Sequence, residues 1–298
     1  MGIRLGENQY GKAEVRLVRI NRDTDVHRIE DVNVTSQLRG DFETVHTRGE
    51  NASCVATDTQ KNTVYALAKQ NGGVGAIEDF ALLLARHFVD GFEWVTGARQ
   101  EVQQYEWDRI PTGDGPHDHA FVRRGAETRT TVVTKDGPEE WVLSGFEGLT
   151  VLKSTGSEFH GYPKTDYTTL RETKDRILAT DVTARWRAIG TNHDWDATYT
   201  SVRSLLLETF AVTHSLALQQ SLYEMGKAVL EAHDHIAEIR FSMPNKHHFL
   251  VDLEPFGLEN PNEVFYAADR PYGRIEATVE RDDAPPAGRA WDTVPGFV

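Results

Sequence analysis

"EVRLVRI", residues 14–20, is the stretch on which the fold class turns. Val15 and Leu17 alternate with Glu14 and Arg16, the period of a strand with one covered face and one in water. The same period recurs in EVQQYEW (101–107), RTTVVT (129–134), AEIRFS (237–242), residues 247–252 and IEATVE (275–280). Between these runs the period becomes helical. Ile77, Phe80, Leu84 and Phe88 form one apolar stripe, Val202, Leu205, Leu206 and Phe210 a second, and Leu218, Leu222, Met225 and Val229 a third. A further helix is expected at 58–70, where Val64, Leu67 and Ala68 share a face and Asn71-Gly72-Gly73 supplies the stop.

Strands and helices come in blocks, not in strict alternation. Two strands, two helices and two strands fit residues 10–125, and the same order fits 128–281, with a longer insertion near 155–198. This internal repeat predicts an α+β fold with antiparallel sheets and helices on one face. The expected units are 1–127 and 128–281, followed by a loosely held tail, 282–298, whose prolines, glycines and scattered charges show no period. A sheet covered on one side keeps bare edges, so closure into barrels by association of several chains is expected.

Length and charge exclude more than they identify. With 298 residues and a formal charge of −14, the chain has room for two ordinary domains and lacks the basic excess of a nucleic-acid surface. An anionic small ligand would need a local cation set against that field. No run approaches the ~20 apolar residues of a membrane helix, and MGIRLGENQYGK lacks the apolar segment of a signal peptide, so a cytoplasmic protein is expected. The single cysteine, Cys54, rules out an intrachain disulfide and a thiolate cluster for zinc. It reads as a small buried hydrophobe in a reducing compartment.

Several stretches carry a chemical and an ordinary structural reading side by side. Thr57 and Asp58 stand at the mouth of a predicted helix, as its N-cap or as a hydroxyl and free N–H groups that hold a polar ligand. Lys12, where a loop becomes a strand, is either a solvated lysine or, beside a desolvated pocket, a proton carrier. Phe159 and Arg176 read as core packing and a surface ion pair, or as a stacking face and donor fork for a flat anion. PHDH (116–119) and AHDH (232–235) have no Cys or Glu partner at metal spacing, and no HExxH occurs, so structural or exposed histidines are expected and no metal. No GxGxxG follows a strand and no Walker sequence occurs, so no cofactor site is visible by motif. In SMPNKHHFLV (242–251) a strand pattern halts at Pro244 and presents Asn245, Lys246, His247 and His248 before turning apolar again.

Together, YGK (10–12), ATDTQKNTVYALAKQN (56–71), GLTVLKSTGSEFHGY (148–162), DYTTLRETKDRILATDV (166–182) and MPNKHHF (243–249) resemble the urate oxidase, or uricase, family. The blocks span nearly the whole chain. The resemblance implies the tunnelling fold, or T-fold: two ββααββ units per chain, paired into barrels in a homotetramer with active sites at subunit interfaces. It implies a proton relay of Lys12, Thr57 and His247, and substrate binding by Thr57, Asp58, Phe159, Arg176, Leu218, Gln219 and Asn245. Leu218 stands where the family commonly has valine, a small departure because the resemblance gives that position chiefly a backbone contact. The ending Gly-Phe-Val, in place of the Ser-Lys-Leu of peroxisomal members, agrees with the cytoplasmic expectation.

Urate is a flat, electron-rich purine anion. The resemblance has Phe159 supply a stacking face, Arg176 a guanidinium fork and Gln219 an amide matched to the pyrimidine edge, near a helix start that favours negative charge. The implied reaction is oxidation by dioxygen and water to 5-hydroxyisourate and hydrogen peroxide without cofactor, so the substrate is the reductant and the protein positions it and moves protons. Lys12 accepts through the Thr57 hydroxyl with His247 beyond, and Asn245 holds oxygen or the attacking water. Pro244 is expected to fix an extended segment on which Asn245 and His247 project to one side while His248 faces away. Two other readings stand beside this one. A pterin or purine enzyme of the same fold would anchor its ring with a glutamate or use zinc ligands, which are hard to assemble here. A non-catalytic purine-binding protein would keep Arg176 and Gln219 but has no need of Lys12 and Thr57.

Overall fold

The computed structural model describes residues 2–293, and the chain forms two compact units. The first runs to Gly145 and takes in Arg187–Ala197 and Pro285–Thr293. It holds β1 (Tyr10–Asn21), β2 (Arg28–Gly40), α1 (Glu43–Arg48), α2 (Thr57–Gln70), α3 (Ile77–Gly91), β3 (Val95–Gln104), β4 (Trp107–Thr112), β5 (Gly115–Arg123), β6 (Thr128–Asp136) and the first half of β7 (Glu139–Lys153). β1, β2, β3 and β6 lie side by side in that order, each pair antiparallel. The alternation at 14–20 is real: Val15 and Leu17 are buried while Arg16 and Val18 are exposed. The helical stripes cover that face, with Val64, Ile77, Phe80, Leu84 and Phe88 fully buried in one cluster with Val15, Leu17 and Val34. Each such large side chain contributes about 1.5–3 kcal/mol by leaving water.

Four features of this unit depart from the sequence pattern. The run at 101–107 ends as a strand at Gln104: the Tyr105 N–H still donates to the Asp31 carbonyl (2.9 Å), and the chain then leaves for β4 and β5, a separate two-stranded ribbon. The six-residue α1 buries no side chain and therefore has no stripe to announce it. β6 does not open the second unit at 128: it pairs with β3 from Gly97↔Asp136 to Gln104↔Arg129, so the division falls inside β7, after Gly145. The tail is not loose over Pro285–Thr293. Ala290 is buried, Arg289 pairs with Asp136 and Asp292, and a Cβ on Gly288 would stand 2.4 Å from the Trp141 ring. Residues 294–298 of that tail lie outside the described residues.

The second unit comprises Phe146–Trp186 and Thr198–Ala284 among the described residues. After β7 come β8 (Leu178–Ala188), α4 (Trp195–Val212), α5 (Leu218–Ala232), β9 (Ile236–Leu250) and β10 (Phe265–Glu280), with the strands neighbours in the order β7, β8, β9, β10. Val202, Leu206 and Phe210 of α4 and Leu218, Leu222, Met225 and Val229 of α5 share one core with Phe146, Trp186 and Phe241. The expected halt at Pro244 does not occur. β9 runs unbroken for 15 residues, held by Met243↔Ile275 on one side of the proline and Asn245↔Gly273 on the other. β10 takes up the irregularity instead, with a register shift between Ala268 and Gly273.

Candidate active site

In the second unit a cavity of about 140 Å³ is lined by Phe159, Leu170, Arg171, Thr173, Arg176, Ile177, Asn245, His247, His248 and Phe249. Two segments far apart in sequence build it. The stretch between β7 and β8 folds back on itself: Phe159 and Thr173 exchange N–H···O bonds of 2.9 and 3.0 Å as an antiparallel bridge. This sets the Arg176 guanidinium carbon 5.2 Å from the Phe159 ring centre. Tyr162 stacks on the same ring at 5.0 Å and 18°, and its hydroxyl donates to the Leu170 carbonyl (2.7 Å). β9 supplies the rest. Asn245 and His247 are two apart on a strand and share a face, whereas Lys246 pairs with Asp181 at 2.5 Å, and Asp181 also accepts from Thr150.

His248 corrects an expectation. It does not face away but lines the same cavity, because its ring folds back so that Nδ1 lies 3.1 Å from the Lys246 carbonyl oxygen near the end of β9. Tyr162, Leu170 and Thr173 were not singled out in the sequence either. The aromatic pair Phe159/Tyr162, three residues apart in GSEFHGY, was the available signal.

The electrostatics of the cavity favour an anion. Arg176 is half-buried without an ion-pair partner among the described residues, and burial lowers its pKa. The His247 imidazole is held below its ordinary value, first by burial and then by the Arg176 charge and the neighbouring His248. His247 is therefore neutral near neutrality and able to accept a proton.

Lys12 and Thr57 belong to the first unit, and their positions follow from two details of strand geometry. Gly11 is required where it stands, since a Cβ there would lie 1.8 Å from the Ser36 carbonyl oxygen. After Lys12 the register of β1 slips: Lys12 faces Ser36 and Val15 faces Val34, so Ala13 and Glu14 together oppose Thr35. Glu14 takes a positive φ of 56° in this bulge, and its N–H donates to the Thr35 hydroxyl (3.1 Å). Directly opposed residues share a face, so the bulge moves Lys12 from the water side, where alternation with Arg16 would put it, to the side of Val15 and Ser36.

That side faces the start of α2. The Ser36 hydroxyl donates to the Gln60 side-chain oxygen (3.2 Å) and accepts from Gln100 (3.1 Å), Gln60 donates to the Val55 carbonyl (3.3 Å), and Tyr10 donates to that carbonyl as well (3.1 Å). Thr57 is not the N-cap: it is the first helical residue after Ala56, and no side chain caps the helix. Its hydroxyl is not spent on capping. The Asp58 carboxylate is exposed and turned onto its own helix, 2.5 Å from the Lys61 amine and 3.0 Å from the Asn62 amide nitrogen. The bonds and charge of Lys61 lower its pKa, and Lys12 adds to this. Cys54 is half-buried and free beside Tyr10, not a fully buried hydrophobe.

Leu218 and Gln219 open α5. Leu218 is buried in the core of the second unit and Gln219 is exposed, so the packing of the first fixes the presentation of the second. The histidine pairs are engaged locally: His117 and His119 meet edge to face at 4.5 Å, while His233 lies 3.0 Å from the Ser201 hydroxyl. Among the described residues no group of three or more His, Cys, Asp or Glu side chains is placed to hold a metal ion.

Comparison with known proteins gives this arrangement a family. The uricase family model matches residues 8–134 and 142–276. The chain belongs to the uricase family. A curated uricase from Arthrobacter globiformis is 62% identical over 98% of this chain and 95% of its own, and one from Cyberlindnera jadinii is 38% identical over 95% and 99%. The crystal structure of uricase from Arthrobacter globiformis superposes with a TM-score of 0.93 at 62% identity, covering 98% of this chain and 99% of that one. Urate oxidase from Bacillus sp. TB-90, at 22% identity, shares the fold with a TM-score of 0.80 over 92% of this chain and all of its own. The uricase fold is thus α+β, the T-fold. The family match breaks between 134 and 142, where β6 hands over to β7.

Proposed function

We propose that this chain catalyses the oxidation of urate by dioxygen and water to 5-hydroxyisourate and hydrogen peroxide, using side chains alone. It is an oxidoreductase, a urate oxidase. The observation that carries the residue assignment is the convergence of Phe159, Arg176, Asn245 and His247 on one cavity with an unneutralised cation. A planar anion fits it: the Phe159 ring offers a stacking face, the Arg176 fork pairs with ring oxygen and nitrogen, and Gln219 meets the other edge. The Asn245 amide holds dioxygen or the attacking water.

Removing a proton from bound urate raises its electron density until it can reduce oxygen, so acid–base groups replace a cofactor. In our reading Lys12 takes that proton through the Thr57 hydroxyl, with neutral His247 as the further acceptor. The cavity lining contains neither Lys12 nor Thr57. We assign them to the site of a neighbouring copy, with Asp58 contributing its helix-start N–H there; Leu218 contributes its backbone beside Gln219, on the side of Phe159 and Arg176. This makes a homotetramer closed through T-fold barrels a condition of activity. β1, which ends the strand order of the first unit, and β10, which ends that of the second, offer edges for that closure. A cytoplasmic location belongs to the same proposal, and no described helix is long and apolar enough to cross a membrane.

The test is ultraviolet loss of urate with equimolar peroxide in chelator-treated buffer. Absence of turnover removes the enzyme reading and leaves a purine-binding protein. Turnover abolished by the chelator removes the cofactor-free one.

A further inference from the structure

Arg176 lies in an irregular stretch between the Thr173 bridge and the start of β8, so no ladder of its own fixes its side chain. Its fork is nevertheless oriented. The Nε–H donates to the Ser157 hydroxyl at 3.3 Å, and Ser157 is completely buried. A guanidinium has five N–H donors in one plane, and engaging Nε leaves the two Nη groups as the edge that meets a ligand.

Ser157 is itself tied to the helix that carries Gln219. It forms a parallel bridge with Ser215, made by Ser215 N–H to the Gly156 carbonyl (2.9 Å) and Glu158 N–H to the Ser215 carbonyl (2.7 Å). The Ser215 hydroxyl donates to the Ala217 carbonyl (3.0 Å) and accepts from Ser221 on the first turn of α5 (2.7 Å). All three serines are fully buried. The loop bearing Phe159 and the helix start bearing Gln219 are therefore referenced to one bracket of buried hydroxyls.

We propose that Ser157 is a positioning residue for substrate binding: its hydroxyl holds Arg176 Nε and so turns the Nη edge of the fork toward the purine. The inference rests on the reading of Arg176 as the urate clamp. Ser157 touches no reacting atom, and its contribution is to keep the half-buried cation from paying orientational entropy at each binding event.

The experiment compares Ser157→Ala and Ser157→Cys with the unsubstituted enzyme and with Arg176→Ala, measuring KM and kcat for urate and the thermal midpoint. Alanine removes the acceptor, and cysteine keeps the volume with a much weaker one, so the pair separates orientation from packing. KM should rise roughly ten-fold or more in both, the range of a lost hydrogen bond to a charged group, with kcat within about three-fold. Ser157→Ala on top of Arg176→Ala should raise KM no further, because both remove one clamp. An unchanged KM in whichever serine variant folds, or additive effects in the double variant, overturns the inference. An unchanged KM in Arg176→Ala strikes instead at the clamp reading itself.

Discussion

Lys12 stands directly opposite Ser36 across the β1–β2 pair, on the face that Ser36 shares with Gln60 of α2. One bulge does this, and it brings the lysine amine to the side of the sheet from which the Thr57 helix starts. The chemical expectation follows from the position. Lys12→Met keeps the length of the stem and loses the proposed proton acceptor. Turnover at saturating urate should fall by roughly 10²–10⁴ with the elution volume of the parent protein retained, the scale of lost acid–base assistance. Normal turnover in that variant, read by steady-state kinetics and size-exclusion chromatography, would exclude Lys12 from the relay.

The glycine before it has a structural duty. Gly11→Ala would drive a methyl group to 1.8 Å from the Ser36 carbonyl oxygen, a backbone atom that cannot swing away. The strands must separate there, at a cost of about 1–3 kcal/mol. Apparent melting temperature should drop, and turnover should drop further than stability does because Lys12 moves with the strand. A variant as stable and active as the parent would show that the close approach is not maintained.

The proposed sharing of the site between copies has a numerical signature. Thr57→Ala and Arg176→Ala chains, each impaired alone, should regain activity when co-expressed. Random pairing then leaves roughly a quarter of the sites with both residues intact. The measurement is kcat/KM of the mixed oligomer at low urate. If the mixture is no better than the average of its parents, each chain completes its own site.

The pH dependence follows from His247. Its folded pKa lies below the ordinary 6.5, by burial, by the charge of Arg176 and by the neighbouring His248. As pH falls through 6.5 the unfolded chain binds a proton that the folded site still refuses, so stability from this group is full above that value and declines below it, until the folded site protonates too. The acid limb of activity governed by His247 should therefore lie below 6.5, and Arg176→Gln should move the His247 titration upward. Proton NMR of the imidazole checks both, and a His247 that titrates above 6.5 in the parent protein contradicts the assignment.

The sequence made the covered faces legible. Period-two runs and helical stripes report burial residue by residue, and Val15, Leu17, Phe80, Leu84 and Leu222 are inside as their spacing requires. The repeated order of elements and the uricase resemblance were equally open to reading, since both are properties of the chain in one dimension. The bulge after Lys12, the continuity of β9 through Pro244 and the inward turn of His248 were not. The first two depend on what the neighbouring strand offers, Thr35 opposite two residues and Gly273 and Ile275 on either side of a proline, and the third on the Lys246 carbonyl two residues back along β9. The Ser157–Arg176 bond likewise exists only once Ser215 has brought the loop to α5. Burial is set by a residue's own hydrophobicity and period, whereas strand register is set by partners far away in the chain.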